Sequence, residues 1–381
     1  MILNKFWGGF SSFLTTAIIA VFLLGTSVAM ANDDSHTSDN HSEHAEKKGF
    51  NAGEMIFNHV LDSHSWHVAD YDGHAISLPL PIIIYDADGS GLHVFMSSKF
   101  EHGHAAYDGY KLLKGKVVRE SYHEHDADVV EDEHSHAEIA EAAIYDISIT
   151  KNVVALFVST FILLFLFISI ARTYSRRKGQ APTGVQNFLE PIILFIRDDI
   201  AKDSIGKKYE RYMPYLLTIF FFILINNLMG LVPFLPGGAN LTGNISVTMV
   251  LALFTFAITT ASSNKNYWVH IFNMPGVPWW LKLPIPIMPL VEVMGVFTKP
   301  FVLMVRLFAN ITAGHIVILG FMSMIFIFGD MSPVAGYGVS IVSVAFSVFL
   351  SLLEILVAFI QAYVFTLLSA MYFGMAMEES H

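Results

Sequence analysis

Three ionisable side chains stand inside the last two apolar runs of this chain: Arg306 and His315 in "TKPFVLMVRLFANITAGHIVILGF", and Glu354 in "LLEILVAFIQAYVF". A charge at bilayer depth costs roughly 2.5 to 3.5 kcal/mol on insertion scales, so such groups usually line a cavity or meet a partner. Asn310 and Gln361 are uncharged polar companions in the same two runs. The chemistry these residue types suit is proton transfer. Histidine and a desolvated carboxylate can exchange protons near neutral pH, whereas a guanidinium keeps its charge and holds a fixed positive potential. A fixed cation between two polar passages stops a proton from running straight through, and draws a partner's carboxylate into its charged form.

Spacing gives these residues an arrangement. Lys299, Arg306 and Asn310 fall on one helical face, and Glu354 and Gln361, seven apart, on another. If the two runs form an antiparallel hairpin about "GDMSPVAGYG", His315 falls opposite Glu354 and Arg306 opposite Gln361. Arg306 and His315 are nine residues apart, about 180° round a straight helix, so they face opposite ways. The expectation is one surface that presents Arg306 outside the chain and another that pairs His315 with Glu354 inside it. The plainer alternatives are an arginine that only pairs with Glu354 and a histidine that only packs.

The elements that must position these groups are set by composition. The 381 residues are 54% hydrophobic and 14% charged, with a mean hydropathy of +0.52, which is membrane-protein composition. There is no cysteine, so disulfides, thiolate metal sites and cysteine nucleophiles are excluded. Charge is divided unequally: residues 32–150 carry 23 acidic against 7 basic side chains, and residues 151–381 carry 10 against 14.

Residues 1–31 read as a secretory signal, with Lys5, an apolar run and "SVAMA"; a first membrane anchor is the alternative. Residues 32–150 form an exported, acidic, His-rich region. Its tracts 32–48 and 120–138 are too polar to bury a core. Between them "NAGEMIFNHVLDSH" has helical spacing, and "AISLPLPIIIYDADGSGLHVFMSSKF" reads as two strand-like runs about a "DADGSG" turn.

Residues 151–381 are the membrane domain. Spans are expected at about 153–171, 212–232 and 245–261, followed by the two long runs. Arg172, Arg176, Arg177 and Lys178 place the end of the first span in the cytoplasm. Residues 180–211 are too interrupted by charge for a span and suit a helix lying along the cytoplasmic surface. From Ser340 the last run is about 57 Å long as a helix, against a bilayer core of about 30 Å, so it must tilt or bend. The fold class is therefore an all-α polytopic membrane protein of about five membrane helices. It ends in a long, steeply tilted antiparallel hairpin and carries a small exported α+β region.

These residues resemble subunit a of the membrane sector of F-type ATP synthase. The resemblance is carried by Lys299, Pro300, Arg306, Leu307, Phe308, Asn310, Ala313 and Gly314, by the helix around Glu354 and Gln361, and by "NNLMGLVP" and "GNISVTMVLAL". It covers about residues 150–381. It implies a non-catalytic stator subunit of a rotary proton machine, without a cofactor, in a bacterial inner membrane. Its partners are a ring of small rotor subunits, the peripheral stalk subunit b and lipid, with no nucleic acid. Arg306 is implied to face the rotor carboxylate. His315, Glu354, Asn227, Asn310 and Gln361 are implied to line or shape the outer half-channel, and Glu292 to stand near the cytoplasmic one. The pair His315 and Glu354 has its residue types exchanged relative to some members, Gly230 stands where some members carry an acid, and Ala309 where a glycine is common.

The region 32–150 lies outside the resemblance. Its 14 histidines between 36 and 136 could bind zinc, copper or nickel, buffer protons near an entrance, or only keep the surface soluble. A metal-ion transporter with a His-rich collecting segment is the rival function. An intramembrane protease would need paired aspartates, a Ser and His set or "HExxH" in the spans, and none is present.

Overall fold

The structure is a computed structural model, and it describes residues 52–71, 74–87, 91–103, 105–113, 115–119, 144–177, 179–232, 238–272 and 287–377. The signal segment, the tracts 32–48 and 120–138, and most of the region's histidines lie outside the described residues.

The N-terminal part opens with helix α1 (Ala52–Val60), where the sequence has helical spacing. The stretch expected to give two strands gives three. β2 (His74–Pro79) pairs antiparallel with β1 (Ser65–Tyr71), and β3 (Pro81–Asp86) pairs with β4 (Gly91–Met96) about the "DADGSG" turn. The break at Leu80 moves the chain from one sheet to the next. β5 (Tyr110–Leu113) and β6 (Lys116–Arg119) form a further hairpin, and β7 (Ile144–Asp146) completes the sheet β4-β3-β7.

Alternation on β3 turns Ile82, Ile84 and Asp86 inward, where the two isoleucines meet Phe100, Tyr110 and Val117. Asp86 is held there because Tyr110 Oη donates to it at 2.8 Å and Arg119 donates through Nε at 3.0 Å and Nη2 at 2.5 Å, which satisfies a buried carboxylate.

Among the described residues, five helical runs are long and apolar enough to cross a membrane. Helix α2 is Lys151–Arg176, longer at both ends than the expected span. Helix α3 (Val185–Phe195) runs through a π-helical segment, Ile196–Lys202, and two short turns into α4 (Tyr209–Leu231). The segment expected to lie along the cytoplasmic surface is thus continuous with α4. Ile196, Ile200 and Ala201 are fully buried in the core, because their spacing puts one apolar face against α4 and the last helix while Asp198, Lys202 and Asp203 point away.

α4 is buried on several sides, with Leu216, Ile219, Phe220 and Ile223 at most 1% exposed. Helix α5 (Ile245–Ser262) starts on an Asn244 cap, and a short helix, α6 (Lys265–Phe272), follows that the sequence reading did not include.

The last two helices, α7 (Ile287–Met331) and α8 (Pro333–Met377), have 45 residues each, about 68 Å at 1.5 Å per residue. They form the expected hairpin, turning at Ser332. Gly329 and Gly336 let the arms meet there: a Cβ on Gly336 would stand 2.8 Å from Gly329 Cα. α8 packs on α4 and α5 and buries small residues there, Ala358, Ala362, Ser369 and Ala370. Much of the hairpin has no protein cover. Its most apolar windows are 17% and 22% buried, against 61% for the run containing α4.

Candidate functional site

Three helices and one turn build a polar group toward the hairpin end of the bundle. His315 on α7 lies with its Nδ1 2.6 Å from Glu354 Oε1 on α8, and its Nε2 3.2 Å from the Gly230 carbonyl at the end of α4. Glu354 is 5% exposed. Gly314 makes room for the pair, since a Cβ there would stand 2.8 Å from Glu354 Oε1.

Asn227, buried on α4, donates through Nδ2 to the Ala358 carbonyl at 3.2 Å and accepts from Thr242 Oγ1 at 2.7 Å. Asn226 Oδ1, Asn240 Nδ2 and Thr312 Oγ1 are buried without a hydrogen-bond partner among the described residues.

Arg306 and Asn310 lie on the other side of α7. Both are exposed, as are Val302, Val305, Ala309 and Ala313 around them, so the guanidinium stands on an apolar, uncovered helix face. Nine residues of helix separate Arg306 from His315, and they do face opposite ways. Gln361 on α8 is 6% exposed, whereas Arg306 on α7 is exposed.

A second polar group occupies the opposite end. A small cavity between α5, α7 and α8 is lined by Thr255, Thr259, Thr260, Tyr267, Lys299 and Tyr372. The Lys299 ammonium stands 5.6 Å over the Tyr372 ring, a cation–π distance. Glu292 acts electrostatically on Lys299 and Tyr267, and Arg306 on Tyr372. Beneath the cavity Thr255 Oγ1 joins Tyr215 Oη at 2.6 Å and Ser369 Oγ at 3.2 Å.

Sequence reasoning missed Thr242, Thr255, Thr259 and the carbonyl of Gly230. The signal for Thr255 and Thr259 was their i, i+4 spacing in an uncharged span. The Gly230 carbonyl had none, because a backbone oxygen looks the same at every position.

The family described as ATP synthase A chain matches residues 153–374, more than half of the chain and all seven candidate residues. The chain belongs to the ATP synthase A chain family. Its similarity to individual members is high. ATP synthase subunit a of Chloroherpeton thalassium is 48% identical over 245 residues, covering 62% of this chain and 69% of that one. ATP synthase subunit a 2 of Prosthecochloris aestuarii is 48% identical over 239 residues, covering 61% and 69%. ATP synthase subunit a of Myxococcus xanthus is 44% identical over 245 residues, covering 62% and 75%. Residues 55–147 match a separate family described as a domain of unknown function (DUF8433). Within the ATP synthase A chain match, the two polar groups and Arg306 all belong to the same helical unit.

Proposed function

We propose that this chain is the stator proton-channel subunit of an F-type ATP synthase, with two offset half-channels and a fixed arginine that couple proton passage to rotation of a c-ring. The observation that carries the reading is the opposed placement on α7: Arg306 on an uncovered apolar face, His315 paired with Glu354 inside the bundle. A helix face exposed over most of its length needs a covering partner other than water, and a ring of small rotor subunits meets that need.

In this reading the outer passage runs by Asn227, Thr242, Glu354 and His315, with Asn310 and Gln361 shaping its inner end. The cytoplasmic passage runs by the cavity at Thr255, Tyr267 and Lys299, with Glu292 near its mouth. Arg306 stands between the two in chain position and depth. A proton arriving from the outer side neutralises a rotor carboxylate, which can then move into apolar surroundings, while Arg306 holds the next carboxylate ionised. The chain itself makes and breaks no covalent bonds apart from those to protons.

The peripheral stalk subunit b and lipid cover the remaining apolar surface. Arg172, Arg176, Lys207, Lys208 and Lys265 mark the cytoplasmic side of an inner membrane, which puts residues 32–150 on the exported side and the C-terminus in the cytoplasm. For the rival metal-transport reading, no group of three metal-binding side chains occurs among the described residues, and Arg306 repels cations.

The test is ATP-driven acidification of inverted membrane vesicles with Arg306→Ala. Pumping is expected to vanish while the assembled complex keeps its c-ring and b subunits. Unchanged pumping would remove the arginine from the mechanism and with it the central step of the reading.

A further inference from the structure

The N-terminal strand region is joined to the helical unit at three specific places, all at the hairpin end. The first is the start of α2. The opening N–H groups of a helix have no partner within it, and here two of them are met by the N-terminal region: Lys151 N donates to the Ser63 carbonyl at 3.0 Å and Asn152 N to Asp62 Oδ1 at 3.2 Å. The Asp62 carboxylate also stands at the positive end of the helix dipole. The second is α1, which packs against α7. The third is Trp66 on β1, 4% exposed, whose ring is closed in by Val154, Ala155 and Ala239.

Ala239 is the connection that matters. It precedes the tight turn 241–243, whose Thr242 donates to Asn227. Its carbonyl oxygen lies 3.7 Å from where a Gly230 Cβ would stand, and His315 Nε2 lies 3.8 Å from the same point. Gly238 N in turn donates to the Met229 carbonyl at 3.3 Å. Trp66 therefore presses on the outside of a short segment whose inside touches the neighbours of His315.

We propose that the strand region is a clamp. It seats residues 238–243 beside Gly230 and His315, and Trp66 is the positioning residue through which it sets how readily protons enter from the exported side. The inference rests on the proton-channel reading above. Two small alanines give the indole a close seat, and a segment held by four packed helices and a tryptophan has little freedom to shift. Entry is the step that draws on the exported proton concentration, so a misplaced entrance is offset by acid on that side alone. A defect at the rotor or a general loss of fold has no such one-sidedness.

The experiment measures passive proton flux in inverted vesicles stripped of the catalytic sector, with the lumenal pH (the exported side) and the external pH varied separately. Wild type is compared with Trp66→Ala, Trp66→Phe and Asp62→Ala, each normalised to assembled complex. Trp66→Ala is expected to lower flux about fivefold at neutral lumenal pH, to recover as the lumen is acidified, and to keep the wild-type dependence on external pH. Trp66→Phe restores most of the flux, and Asp62→Ala lies between.

Wild-type flux and lumenal pH profile in Trp66→Ala and Asp62→Ala overturn the clamp, as does a loss equal at every lumenal pH. If Trp66→Ala does not assemble, the profiles of Asp62→Ala and Trp66→Phe decide in the same way. ATP-driven pumping by Arg306→Ala in parallel separates the two claims. Pumping that persists there sinks the channel reading, whereas pumping that vanishes beside a normal Trp66→Ala sinks only the clamp.

Discussion

Gly314 is the residue that gives the His315–Glu354 pair its room. A methyl added there would stand 2.8 Å from the carboxylate oxygen, closer than such contacts allow, and Glu354 is only 5% exposed against α7. Gly314→Ala should therefore displace the carboxylate and lower ATP-driven proton pumping about tenfold, in keeping with the cost of misplacing a proton-transfer group. Gly320, six residues along α7, has nothing within 4 Å of its added Cβ. Gly320→Ala is the matched control and should pump as wild type. Equal pumping by the two variants would separate the pair from proton passage. The same paired acid and base were readable from sequence because seven- and nine-residue spacings fix helical faces. Gly230 was read only as a missing acid. Its carbonyl proves to accept the second ring nitrogen of His315, a role no side-chain pattern encodes.

At the scale of the element, the small sheet depends on one ion pair. Asp86 is 3% exposed and ties β3 to β5 and β6 through Tyr110 and Arg119. Removing one partner of a buried pair leaves the other unmatched; Arg119 retains water access, so Asp86→Ala should cost about 2–4 kcal/mol. Limited proteolysis of membrane-bound chain should show faster cleavage within residues 52–119 and unchanged protection of the helices. Wild-type cleavage rates would show that the pair contributes nothing.

A second contact in this region depends on pH. Burial pushes the Asp146 carboxyl up, but the His64 side chain 2.8 Å away and the Ser148 donors outweigh it and hold it below its ordinary 3.8. A carboxyl depressed on folding stabilises above its unfolded value, and that stability is lost as pH falls through the folded value. Protease protection of residues 52–71 and 144–150 should hold from neutrality down to about pH 4 and decline below it. His64→Ala should give weaker protection at neutral pH and a shallower decline on acidification, because the group that depresses the Asp146 carboxyl is gone; a curve identical to wild type would rule the pair out. The strand region's core was legible in its alternating apolar residues. The Asp86 cluster was not, because its members are up to 33 residues apart.

At the scale of the whole molecule, composition separates two parts that the fold then joins. The acidic 32–150 region and the slightly basic helical unit belong on opposite sides of the positive-inside rule. Trypsin added to right-side-out vesicles is expected to cut within residues 32–150, and to reach the Arg172–Lys178 segment only in inverted ones. Cleavage of that segment from the right-side-out face would reverse the orientation. The faces of α7 and α8 are largely uncovered, and among the described residues the exposed Arg306 forms no ion pair.

The sequence alone determined the membrane class, the long hairpin, the outward arginine and the facing of His315 and Glu354, because each follows from hydropathy, length or helical periodicity, which are local quantities. Only the tertiary structure decided that Gln361 is buried, that Ile196, Ile200 and Ala201 enter the core, and that Trp66 rests on Ala239 beside His315. Those depend on how far each helix is rotated about its axis and on which distant segments meet. Rotation and long-range contact are settled by the packing of the whole chain, where every side chain constrains its neighbours at once.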